Sequence, residues 1–122
     1  MIESRVVRDA AEALVHVWGR AKNEESKIVL RPLELSGYPT HLRLTSVAHF
    51  VQGGSIRLFW EGENEHTLLM PLESRGSYVL DWCAQALADP KVEGWKGNVL
   101  VTVQTSNECW FTLVLEFAKQ RG

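Results

Sequence analysis

The sequence predicts an all-β protein, an antiparallel β-sandwich of jelly-roll-like character with about seven or eight short strands. Three observations support this. Apolar and polar residues alternate with period two in several separate stretches. Turn-forming clusters recur about every ten residues. The alternating stretches are rich in valine, leucine and aromatic residues, which suit a pleated surface buried on one face.

Taken in chain order, "MIESRVVRDA" is charged at Glu3, Arg5, Arg8 and Asp9 and is expected to be an extended N-terminal arm. In "VVRDAAEALVHVWGR", Val7, Ala11, Leu14 and Trp18 fit a helical stripe. The run "LVHVW" is nevertheless β-rich and ends at a glycine, which favours a strand over 13–20. "KIVLRPLEL" reads as a strand over 27–35, with Ile28 and Leu30 facing together and Pro32 marking an edge or an end. "HLRLTSVAHFV" alternates at Leu42 and Leu44 and loses the pattern near Val47. Gln52-Gly53-Gly54 then supplies residues that accept positive φ, as a tight hairpin needs. "SIRLFW" places Ile56, Leu58 and Trp60 on one face and Arg57 and Phe59 on the other. "HTLLMPL" is the next strand, and Pro71 removes a ladder donor, so an edge or a strand end is its place.

"DWCAQALADP" contains helix formers and stops at a proline, so a short helical turn is expected near 81–88. The clearest element comes last. Val99, Val101 and Val103 point one way, with Leu100, Thr102 and Gln104 the other way. After the polar "TSNE", Phe111, Leu113, Leu115 and Phe117 oppose Trp110, Thr112, Val114 and Glu116. These two runs are expected to form an antiparallel hairpin.

The 122 residues suit one domain with one core, and 45% hydrophobic with 23% charged residues is ordinary for a globular chain. The net charge of −2 comes from basic and acidic residues scattered along the chain. No basic run would neutralise several phosphates together, so no nucleic-acid partner is expected. No apolar run approaches the roughly 20 residues that span a bilayer, and the charged N-terminus does not resemble an export signal. Cys83 and Cys109 are far apart and form no zinc-type pair, so both are expected to be reduced thiols.

The stretch "FWEGENEHTLLM" crowds Glu61, Glu63, Glu65 and His66 together and invites a metal site or a catalytic pair. Calcium loops, however, use Asp and Asn at fixed spacing around a glycine bend, and that spacing is absent. A solvated hairpin turn is the expectation, with weak cation binding as the alternative. His16, His41, His49 and His66 have no metal-ligand spacing, and no serine or cysteine sits in a nucleophile context. His16 and His49 are expected to face outward or to be satisfied in the core. Asp81, Trp82 and Cys83 suggest no partner base. No catalytic, cofactor or metal residue is assigned, and the chain is expected not to be an enzyme.

The five tryptophans, at 18, 60, 82, 95 and 110, are the compositional excess. Tryptophan fills cores, but it also anchors interfaces. Trp110 lies opposite the apolar face of the last strand and Trp95 in a glycine-flanked turn. These two are the candidate interface residues.

The order of pieces resembles a known family. "PTHLRLTSVAHFVQGGSIRLFWEGENEHTLLMPL" looks like a hydrophobic strand, a glycine turn and an "R-L-x-W" strand entering an acidic hairpin. "GWKGNVLVTVQTSNECWFTLVLEFAKQ" is similar to a "G-x-T-G-D-I" opening followed by a terminal hairpin that ends in lysine. Together with the opening strands, over about 6–120, the series resembles small virion structural proteins of tailed bacteriophages, some of which decorate or cement the head. The region "DWCAQALADPKVEGW" departs from the glycine- and asparagine-rich stretch of that family. The resemblance implies a non-enzymatic virion protein bound to the outside of the capsid and assembled in the host cytoplasm. The major capsid protein would be its partner, and a homotrimer the natural arrangement on a lattice with threefold axes. A head–tail adaptor, neck or tail component is the structural alternative. A carbohydrate-binding module is the alternative from another class, since exposed tryptophans on a sandwich can stack on sugar rings.

Overall fold

The computed structural model describes residues 1–39, 41–63, 66–80 and 95–120, with only the backbone of Thr67, Trp95, Lys96 and Gln120. The strands are β1 (Ile2–Asp9), β2 (Glu12–Ala21), β3 (Glu25–Leu30), β4 (His41–Gln52), β5 (Ser55–Gly62), β6 (Thr67–Leu72), β7 (Arg75–Val79), β8 (Trp95–Gln104) and β9 (Cys109–Gln120). They form two antiparallel sheets, one of five strands in the order β1-β2-β9-β4-β7 and one of four in the order β3-β8-β5-β6. Without β1, the two strand orders are those of a jelly roll, so the all-β sandwich expected from the alternation is the fold. The short helical turn expected near 81–88 lies outside the described residues.

Nine strands exceed the expected seven or eight because β1 and β7 lie at the edges of the larger sheet. Residues 2–9 form a strand paired to β2 from Ile2↔Gly19 to Asp9↔Ala13, with a bulge between Val6 and Arg8. The strand expected over 27–35 ends at Leu30, and Pro32–Glu34 form a 3₁₀ turn. Proline's fixed φ and missing N–H suit the first position of such a turn and end the ladder. Pro71 stands in β6, an edge strand, where its missing donor faces no neighbour.

The core lies between the sheets. Val15 and Val17 of β2, Leu42, Leu44, Val47 and Val51 of β4, and Phe111 to Phe117 of β9 at alternate positions face inward. Across from them stand Val99, Val101 and Val103 of β8 with Ile56, Leu58 and Trp60 of β5. Trp60 meets Phe117 edge-on at 6.1 Å and 61°, an arrangement favoured by the ring quadrupoles.

The hairpins expected at Gln52-Gly53-Gly54 and between the last two strands are not hairpins. β4 and β5, like β8 and β9, lie in opposite sheets, and each turn carries the chain across the sandwich. The β4–β5 turn depends on Gly53, whose φ is 87°. A Cβ there would also come within 2.0 Å of the Glu108 carbonyl oxygen, so the turn packs directly on the β8–β9 connection. At the other end of the sandwich, Lys119 donates to Asp9 Oδ1 and, at 3.0 Å, to the Ser36 carbonyl. Ser36 donates from its backbone N–H and its hydroxyl to the same carboxylate, each at 2.9 Å. The cluster joins the tip of β1, the segment after the 3₁₀ turn and the end of β9. The hydrogen bonds from Lys119 and Ser36 hold the Asp9 carboxyl below its ordinary value of 3.8.

Two outcomes are expected. Phe117→Ala removes a fully buried ring at the intersheet contact and should cost about 3–5 kcal/mol in urea unfolding. The native Asp9 binds its proton more weakly than the unfolded chain does. Its stabilisation is therefore present above pH 3.8 and is lost as the pH falls through the depressed value. Melts on either side of pH 3.8 should show a shallower acid limb in Asp9→Asn than in the parent chain.

Candidate functional site

The outer face of the five-stranded sheet is set by β9. Its inner residues are buried, so Trp110, Thr112, Val114 and Glu116 point away from the core. Cross-strand register then fixes their neighbours. Trp110 lies between Arg20 of β2 and Gln52 of β4, and Thr112 between Trp18 and Phe50. Val114 lies between His16 and Ala48, and β1 adds Glu3 beside Trp18 and Arg5 beside His16. On the far side Arg75 of β7 stands next to Phe50.

A shallow groove of about 570 Å³ on this face is lined by Trp18, Phe50, Trp110 and Thr112 together with Glu3 and Arg20. Trp110 is 51% exposed and Phe50 43%, high values for large rings on a sheet face. The groove is locally ordered by its own contacts. The Arg20 guanidinium sits 4.6 Å from the centre of the Trp110 ring, a cation–π contact. The same guanidinium pairs with Glu108 at 2.9 Å and holds that carboxyl below its ordinary value. His16 shares a 2.8 Å hydrogen bond with the Thr112 hydroxyl and packs at 4.8 Å against the Trp18 ring. Gly19 lets the chain approach closely, since a Cβ there would fall 2.2 Å from the Met1 carbonyl oxygen.

Of the two tryptophans expected at an interface, Trp110 is on this face. Trp95 opens β8 opposite Gly62, and its side chain lies outside the described residues, as do Asp81, Trp82 and Cys83. Trp60 is buried and belongs to the core. Sequence reasoning missed Trp18 and Phe50 as neighbours of Trp110. The available signal was their shared parity on strands that alternate strictly, but which strands are adjacent is set by the sheet order.

The glutamate-rich stretch is the connection between β5 and β6. There the Gly62 N–H donates to His66 Nδ1 at 3.2 Å, and Asn98 donates to Glu61 at 2.9 Å. The first contact closes the β5–β6 connection and the second ties β5 to β8, while Glu65 lies outside the described residues. Among the described residues no group of three His, Cys, Asp or Glu side chains could hold a metal ion. Cys109 is a buried free thiol whose pKa is raised by desolvation.

His16 faces outward as expected, but His49 is neither outward nor satisfied. It is 6% exposed, stacks on Tyr78 at 5.7 Å, and both ring nitrogens lack a hydrogen-bond partner among the described residues. The register shift between Leu44 and Ser46 explains its position, because it reverses the parity of the rest of β4. Gly76 opposite it leaves room for the ring, since a Cβ would stand 3.0 Å from Nε2.

No protein-family model matches the chain, and no curated protein does. Among solved structures, KdgF from Halomonas sp. aligns at 12% identity over 98% of this chain and 82% of that one, with a TM-score of 0.37. A likeness this slight bears on neither fold nor function. No described helix is long and apolar enough to cross a membrane.

His49→Phe retains the stacked ring and removes two unsatisfied buried nitrogens. It should raise the unfolding free energy by about 1 kcal/mol in denaturant titration.

Proposed function

We propose that this chain is a non-enzymatic structural protein of a tailed-phage virion, docked on the outer surface of the capsid by the outer face of its five-stranded sheet. The single observation supporting docking is that face: three large aromatic side chains around one groove, held in place by stacking and ion pairing. Aromatic and arginine side chains are the residues in which interface energy concentrates. The capsid assignment comes from the serial resemblance of the strands and turns, and so do the major capsid protein as partner and a trimeric arrangement. A neck or tail position would use the same face with fewer copies. A rigid sandwich with one adhesive face meets the needs of lattice docking, because preorganised side chains lose little entropy on binding.

A second reading is favoured by one specific feature of the groove. Two indoles beside a carboxylate and a guanidinium can stack a sugar ring and hydrogen-bond its hydroxyls.

Quantitative mass spectrometry of purified particles against the major capsid protein tests the proposal. Hundreds of copies per particle are expected, about a dozen would indicate the neck or tail, and none would sink the virion reading. Trp110→Ala should fold with unfolding free energy within about 1 kcal/mol of the parent, since the ring is half exposed. It should nevertheless fail to join particles. Glu61→Ala, at the β5–β6 hairpin, should join them normally. Glycan binding that is lost in Trp110→Ala, with no particle association, would establish the sugar reading instead.

A further inference from the structure

The charged residues around the groove are unevenly distributed. Arg5, Arg8, Arg20, Arg43 and Arg75 all stand on the outer face of the five-stranded sheet, as their register partners show. No described lysine side chain joins them. Two of these arginines are neutralised within the chain, Arg8 by Glu116 at 3.3 Å and Arg20 by Glu108 at 2.9 Å. Arg5, Arg43 and Arg75 have no carboxylate partner among the described residues. The Nε of Arg43 is moreover buried without an acceptor among the described residues. Arg5 and Arg75 flank the aromatic groove, on the cross-strand rows that pass through His16 and Phe50 respectively. Glu3, which lines the groove, is the carboxylate nearest them in register, and Glu12 lies farther along the face on the row of Ala118 and Arg43. Around the groove, arginine is therefore left in surplus on a chain whose net charge is −2.

Arginine differs from lysine in offering a planar fork that matches a carboxylate with two parallel hydrogen bonds. An unpaired guanidinium beside an aromatic groove is thus an incomplete contact with a defined geometry. A nucleic-acid strand would also meet arginine and aromatic rings. It would need a continuous cationic track, however, and here two of the arginines are already paired while Glu3 and Glu116 interrupt the face.

We propose that the occupant of this face is an acidic protein segment. An apolar or aromatic side chain of that segment sits among Trp18, Phe50 and Trp110, and flanking carboxylates are held by Arg5 and Arg75. This deepens the docking reading above and rests on it for the choice of face. It does not depend on the partner being a capsid protein.

The test uses the full chain with two synthetic peptides, Glu-Asp-Phe-Asp-Glu and its amide counterpart Gln-Asn-Phe-Asn-Gln, and a single-stranded oligothymidylate. The readout is the indole N–H resonances of Trp18 and Trp110. The acidic peptide should shift both resonances saturably and bind more weakly as salt rises. Its affinity should fall several-fold in Arg5→Gln and in Arg75→Gln, variants at exposed positions that leave the groove itself intact. Equal binding of the amide peptide would overturn the inference, as would no binding of the acidic one or tighter binding of the oligothymidylate. The two proposals fail separately. Particle association that survives the Arg5→Gln and Arg75→Gln changes together would remove the acidic partner and keep the virion assignment. Acidic-peptide binding by a chain absent from particles would do the reverse.

Discussion

Everything in the larger sheet is registered against one strand. β9 pairs with β2 along one side and β4 along the other, over nearly its whole length. Because side chains alternate across a strand, a slip of one residue would turn Phe111, Leu113, Leu115 and Phe117 outward and bring Trp110, Thr112, Val114 and Glu116 into the core. Burying a glutamate and a threonine hydroxyl without partners would be costly. The hydrophobic alternation of β9 therefore specifies the pairing of its neighbours as well as its own position.

The same constraint assembles the outer face. Once the inner residues of β9 are fixed, Trp18 and Phe50 have to flank Thr112, and Arg20 has to meet Trp110. None of these contacts involves residues close in sequence. The groove is a by-product of core packing on the opposite side of the same strands. This explains how it can be rigid while its side chains remain available. It also separates the two tasks, since outer residues can change with little effect on the core.

Legibility in the sequence followed how strictly each strand alternates. β8 and β9 were readable as strands because both are central and one face of each is fully buried, but their pairing was not. The sequence suggested one hairpin, whereas β8 pairs with β3 and β5 in one sheet and β9 with β2 and β4 in the other. β1 was not readable, because "IESRVVRD" is an edge strand with a bulge and mostly exposed side chains, leaving little pattern to detect. β7, with only "RGSYV", is too short and too exposed to show a period. The inward turn of His49 was hidden by the shift after Leu44, which no periodic template anticipates. The outward parity of Trp110 could be read directly. Its companions could not, since sheet adjacency joins strands separated by most of the chain. The glutamate-rich stretch was read as a turn from composition alone. Of its described contacts, the Gly62–His66 hydrogen bond lies within the β5–β6 connection, while Glu61 is tied to Asn98 of β8.

The position of β9 in the chain has a consequence for biosynthesis. The centre of the five-stranded sheet is the last of the described strands to be translated, after β2 and β4 have been waiting with unpaired edges on the sides it will occupy. Until it emerges, the β1–β2 hairpin and the β4–β7 pair have no bridge between them, and the inner faces of both remain wet. Closing loops of this length is slow compared with making local turns. Strands β2 and β4 thus share a partner that is synthesised after both, and any edge they expose before it arrives is open to pairing with neighbouring chains.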